Sequence, residues 1–290
     1  MTFGNDQNAI GVYRVMIMSG RFLRCLTICL LLLPSVMSAQ NLEAGRVDRH
    51  GDQAVLIVDG PRPVDSAAIT LAQEFGIAVS VEDPPYIFPE DMKDVTDGVT
   101  TADVSRVPNP QRRVLIPKGG RLEIRFALKP DGSPQDLPGL LRDLIAAANA
   151  RFLFTYRLDA DGTRFTIVPT LTRNALGKKT DVTPLLDRRV TIPAGTRSIA
   201  DTAALMADAL SAQTGQRVYC CQGAVGGIPW GMAEIAFEAN NEPARNVLIR
   251  LISAAAPGQS DRAYWLQRCD PLPSNWCFIN LAYTNVGRVR

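Results

Sequence analysis

The chain has 290 residues, 46% of them hydrophobic and 21% charged, with a formal net charge of +2; that length can bury one large core or two small ones. Three basic residues (Arg14, Arg21, Arg24) and one acid (Asp6) fall within the first 39 positions, which leaves 28 basic and 28 acidic side chains in a neutral remainder. A neutral chain without a basic stripe lacks the counterion-release term that drives nucleic-acid binding, and this excludes that class.

Residues 1–39 read as a signal peptide. Arg21 and Arg24 form a short basic region, Cys25 to Leu33 an apolar core, and Val36-Met37-Ser38 a small-residue cleavage site, with cutting expected after Ser38 or Ala39. Left uncleaved, Cys25 to Val36 would be the chain's membrane contact, although it is short of the ~20 apolar residues a comfortable span requires. A periplasmic or secreted product is the expectation.

The rest divides into a first domain (40–170), a linker (171–187) and a second domain (188–290). Val64 to Gly76 has helical apolar spacing, with Asp65 near its start and Gly76 able to stop it, and "IAVSVED" then reads as a strand closed by Pro84-Pro85. Residues 88–111 hold acids and prolines and form an expected surface loop. "RRVLIP" and "LEIRFALK" read as strands, Ser133 to Ala150 as a helix, and Arg151 to Pro169 as a hairpin turning at Asp161-Gly162. After the linker the order recurs: strand, helix (Ser198 to Thr214), strand, glycine-rich loop, strand (Met232 to Ala239), helix (Glu242 to Ala256) and hairpin. The expected fold is therefore α+β, two small helix-on-sheet sandwiches.

Short internal echoes point to duplication. "RRVLIPKGGR" (Arg112 to Arg121) and "RRVTIPAGTR" (Arg188 to Arg197) agree at seven of ten positions; "LEIRFAL" is echoed by "AEIAFEA", and "LLRDLIAAA" by "LIRLISAAA". The first echo is out of order, because its strand follows the first helix in one half and precedes it in the other.

The run "AAITLAQEFGIAVSVED", an extended pair, and then "LPGLLRDLIAAANARFLFTYRLDADGTRFTIVP" resembles the secretin and TonB short N-terminal domain of bacterial envelope proteins over residues 64–170. The second half matches its outline as a degenerate copy. The resemblance implies protein contact or signalling and carries over no catalytic residue.

In an oxidising compartment Cys220, Cys221, Cys269 and Cys277 are disulfide candidates. Cys269 and Cys277 flank a seven-residue loop and can face each other across a hairpin. Adjacent cysteines on a strand point to opposite faces, so Cys220 and Cys221 must form a vicinal ring, stay reduced or reach separately to that hairpin. Their spacing suits neither a zinc knuckle nor a thioredoxin-like site.

His50 is the single histidine, and no nucleophile elbow, phosphate-cradling glycine loop or metal-ligand spacing occurs. The expectation is a chain with no catalytic, cofactor or metal residues. The acids Glu82, Asp83, Glu90, Asp91, Asp94 and Asp97 read as a solvated acidic stretch, and Tyr86 and Trp230 as contact candidates. The function expected is a non-catalytic protein-interaction module with an envelope protein partner. Two alternatives stand beside it: a binder of small ligands or glycans, and a hydrolase using paired carboxylates such as Glu82 with Asp94.

Overall fold

Strand β1 (Arg46–His50) turns through Gly51 into β2 (Gln53–Val58), and helix α1 (Pro63–Phe75) follows. Pro63 starts α1 at a position where its missing N–H costs nothing, and Gly76 ends it with φ 66°, a left-handed conformation that only glycine takes freely. In the computed structural model, residues 45–96, 113–152, 154–221, 233–270 and 275–284 are described.

Next come β3 (Val79–Glu82), β4 (Met92–Asp94), β5 (Leu115–Pro117), β6 (Leu122–Ala127) and helix α2 (Leu137–Arg151), whose cap Asp136 accepts from the Gly139 N–H. β7 (Thr155–Asp161) and β8 (Arg164–Arg173) form the expected hairpin, with Gly162 at φ 59° in its turn. β9 (Lys179–Asp181) pairs with the end of β8, and Leu185 and Leu186 are buried just after it. The 171–187 stretch thus contributes both a strand and core side chains.

The second half runs β10 (Arg189–Ser198), α3 (Ile199–Thr214), β11 (Arg217–Cys220), β12 (Glu234–Pro243), α4 (Ala244–Ala255), β13 (Ala263–Cys269) and β14 (Trp276–Tyr283). Among the described residues the fold is α+β, with four helices and mixed sheets. Helices α1 and α2 lie between sheet β1-β2-β6 and strands β3, β8 and β7, and α3 and α4 lie between sheet β10-β12 and strands β11, β14 and β13.

The strands on the inner side of both halves join in a single sheet ordered β11-β14-β13-β3-β8-β7. β11 is parallel to β14, β14 antiparallel to β13, and β13 parallel to β3, so the two triads run in opposite directions. Reversing a triad while keeping its order turns over its faces. That is why α1 and α2 cover one face and α3 and α4 the other. β13 shows the change on one strand, because Tyr264 and Leu266 enter the first core while Trp265 and Cys269 enter the second.

Element order and pairing match between halves: β2-α1-β3, then β6-α2-β7-β8, corresponds to β10-α3-β11, then β12-α4-β13-β14. Two of the sequence echoes fall on equivalent elements, β6 with β12 and α2 with α4. The third does not. Its first copy is β5, paired with β4, and its second is β10, which occupies the place of β2. Leu115–Pro117 and Leu122–Ala127 therefore belong to different sheets.

Cys269 and Cys277 are directly opposed on β13 and β14, at disulfide distance, as the hairpin reading expects. Cys220 and Cys221 also stand at disulfide distance, and this selects the vicinal alternative.

The halves are also tied by charge. Glu82, wholly buried at the end of β3, receives Arg245 from the start of α4 through Nε to Oε1 at 2.9 Å and Nη2 to Oε2 at 3.1 Å. Arg245 also donates to Asp187. The described residues, which lie between 45 and 284, fall in one compact unit.

Two outcomes are expected. Arg245→Met should cost about 3–5 kcal/mol in denaturant unfolding, because it strands a buried carboxylate, and adding Glu82→Gln should recover much of that. A single variant with wild-type stability would remove the tie. Reduction should lower the unfolding free energy by about 2–3 kcal/mol, the value for the short loop closed by Cys269 and Cys277; an unchanged midpoint in reductant would show that this loop contributes no cross-link.

Candidate functional site

β3 ends at Glu82, whereas its parallel neighbours continue, β8 to Arg173 and β13 to Cys269. The chain leaving β3 turns through Asp83-Pro84-Pro85, since proline can neither donate to a sheet nor continue one. Two features result: a buried polar cluster around Asp83, and a cleft beyond it.

In the cluster, Arg62 Nε donates to Asp83 Oδ2 at 2.7 Å, and Arg62 Nη2 to the Cys269 carbonyl at 3.1 Å. The Tyr86 hydroxyl donates to Asp83 Oδ1 at 3.1 Å and the Cys269 N–H to Oδ2 at 3.3 Å. One turn into α1, Asp65 accepts from Arg268 Nε at 2.7 Å. Arg62, Asp65, Asp83, Tyr86 and Tyr156 line a cavity of about 20 Å³, room for one water, and Arg268 reaches Asp65 from the second half.

Burial pushes the Asp65 carboxyl up to about 7, with the nearby Asp83 charge adding to the rise and Arg268 and Arg62 opposing it. Burial works against the charge on Arg62, yet Asp83, Tyr86 and Asp65 outweigh it and hold the proton more firmly than usual. Burial likewise lifts the Tyr86 hydroxyl well above the usual phenol range.

The cleft encloses about 590 Å³. Its apolar lining includes Pro85, Ile87, Pro169, Val182, Pro184 and Leu185, its polar lining includes Gln216, Gln267 and Asn275, and its charged lining is Asp83, Asp181 and Asp270 with Arg188. Gln267 is fully buried; its Nε2 lies 2.8 Å from Cys269 Sγ, and Oε1 has no hydrogen-bond partner among the described residues.

A third feature lies at the sheet's far end. Tyr219 stacks on Phe278 at 5.4 Å between ring centroids, and Trp276 meets both rings edge-on at 5.9 and 6.1 Å. These half-buried rings lie on the face turned away from α3 and α4, beside β11, whose outer side pairs with no strand among the described residues.

The sequence-derived candidates are distributed unevenly. Tyr86 is buried against Phe154 at 5.3 Å rather than presented to solvent, although it also borders the cleft. Trp230 and Asp97 lie outside the described residues. Glu82, Asp83 and Asp91 are buried and paired with Arg245, Arg62 and Arg173, so half of the acidic stretch is internal rather than solvated. Asp94 is exposed and bonded to Thr96, which holds its carboxyl below the usual range, and no contact joins it to Glu82. His50 is exposed at the end of β1. Sequence reasoning missed Asp65, Arg62, Arg268, Gln267 and the Tyr219-Trp276-Phe278 trio; only the alternation of Tyr219 with buried Val218 and Cys220 offered a signal. Among the described residues no three His, Cys, Asp or Glu side chains gather around a possible metal position, and no helix is long and apolar enough to cross a membrane.

Asp65 makes stability depend on pH. Its folded value lies above the ordinary 3.8, so the native state binds the extra proton: this contribution is complete below about pH 4 and is lost as pH rises towards 7. Between pH 5 and 8 the wild type should lose stability, on the order of a few kcal/mol, relative to Asp65→Asn. Parallel pH profiles of the two proteins would exclude the effect.

No family model matches this chain, and neither a curated protein nor a solved structure matches it.

Proposed function

We propose that the chain is an exported, non-catalytic interaction module of the bacterial envelope, built from two copies of a secretin and TonB short N-terminal type of domain by internal duplication. Export in this reading is by cleavage of the 1–39 leader into the periplasm or beyond, where disulfides can form. The duplication is supported by the shared element order and pairing of the halves and by the echoes on β6 with β12 and α2 with α4.

The observation that carries the functional reading is the β11 edge. On its outer side β11 pairs with no strand among the described residues; the outward Val218 N–H is held by Ser211 Oγ at 2.9 Å, so an added strand would pair through the remaining outward groups of Val218 and Cys220, and adjacent aromatic rings supply contact area at low entropic cost. The partner is an envelope protein that lays an extended, apolar-rich segment along Arg217–Cys220, against Tyr219, Trp276 and Phe278. Binding is favoured over catalysis because Glu82, Asp83 and Asp65 are each engaged by an arginine that bridges structural elements.

A photo-crosslinking residue placed at exposed Arg217 should capture one discrete envelope protein, whereas the same group at exposed Arg142 on α2 should not. Tyr219→Asp should reduce the Arg217 adduct about tenfold, the loss expected for a hot-spot aromatic. Identical adduct patterns at both positions, or none at either, would overturn the β11 assignment.

A further inference from the structure

The cleft beyond β3 is distinct from the β11 edge and does not depend on it. It opens at the carboxyl ends of β8, β3 and β13, which run parallel, and at the junction where the helix layer passes from one face of the sheet to the other. In open sheets that junction is where ligands settle, because strands diverge there and no helix fills the gap. At about 590 Å³ the space falls within the range of small-ligand sites.

Gln267 points to what occupies it. A buried side-chain amide with an unpartnered oxygen forfeits hydrogen bonding that water would otherwise supply, and a sequence that keeps one gains when a ligand provides the missing partner. Gln267 is 0% exposed, its Oε1 is unpaired among the described residues, and it lines the cleft. A peptide amide carries both a donor and an acceptor, so it matches a glutamine side chain in either orientation. The same cleft is lined by Pro85, Ile87, Pro169, Val182, Pro184 and Leu185. A peptide side chain can pack against that aliphatic surface. Sugar rings instead favour aromatic platforms, and Tyr86, the aromatic residue among the lining side chains, is itself buried and bonded to Asp83.

We propose that this cleft binds a short free peptide in extended form, one of whose backbone amides pairs with the Gln267 side chain while an apolar side chain lies on the proline-rich lining.

The test is a titration of the 15N-labelled, oxidised full chain with a library of N-acetylated tripeptide amides, and separately with maltotriose, following the Gln267 side-chain NH₂ signals and, in wild type and variants alike, the backbone amide signals of the lining residues Val182, Leu185 and Asn275. A saturable shift with the tripeptides and none with maltotriose is expected. Gln267→Leu should keep the fold, since it removes a polar group with an unmet bond, and should weaken peptide binding about tenfold, the worth of a buried hydrogen bond. Thr183→Arg, at an exposed position on the lining, should obstruct the mouth and abolish the shift without touching either core. Absence of any tripeptide shift at Gln267, unchanged affinity in both variants, or a maltotriose response in place of the peptide response would each overturn the proposal.

Discussion

The parallel contact between β3 and β13 governs the arrangement of the described chain. It spans two register pairs, Val81 with Leu266 and Gln267 with Glu82, and it is the sheet's one seam between the two halves. So short a ladder contributes few hydrogen bonds, and each is worth only about 1 kcal/mol net. Flanking interactions accordingly carry much of the join. The Trp265 N–H donates to Ser80 Oγ and the Asp83 N–H to the Gln267 carbonyl, while Arg62, Arg245 and Arg268 cross from one half to the other. Ion pairs removed from water offset their desolvation only when closely bonded on several sides. Asp83 meets that condition, receiving Arg62, Tyr86 and the Cys269 N–H together.

The same seam creates the cleft. With β3 only four residues long and its successor chain forced outward by two prolines, β8 and β13 have no strand between them over their last residues, and Cys269 is held there by the Asp83 and Arg62 side chains instead. β9 covers part of β8, and the remaining gap is lined from both halves. A site assembled across a junction responds to whatever alters that junction. The charged cluster beneath it contains Asp65, which titrates near neutrality, so proton binding and cleft geometry share residues: Asp83 and Tyr86 border both the cavity and the cleft.

The aromatic edge has a different origin. Because the second triad is turned over relative to the first, the face of β11 and β14 opposite α3 and α4 is not covered by α1 and α2. Alternation along these strands sends Val218, Cys220, Cys277 and Ile279 into the core and leaves Tyr219, Trp276 and Phe278 to pack on one another. The cysteine pairs belong to this region too, one closing the β13–β14 hairpin and the other ending β11.

The four helices, the two terminal hairpins and the opposition of Cys269 to Cys277 were legible in the sequence, because they follow from local spacing, caps and turn glycines such as Gly76 and Gly162. The echoes on β6 with β12 and α2 with α4 were legible as well, while the "RRV-x-IP" echo misled, since edge strands β5 and β10 share a composition without sharing a place. The fusion of two triads into one sheet, the reversal that puts their helices on opposite faces, and the burial of Glu82, Asp83 and Asp65 beside distant arginines were decided only by tertiary structure. Sequence separations of 163 residues between Glu82 and Arg245 and 203 between Asp65 and Arg268 leave no local signal, because a charge's environment is set by which surfaces meet once the chain has folded.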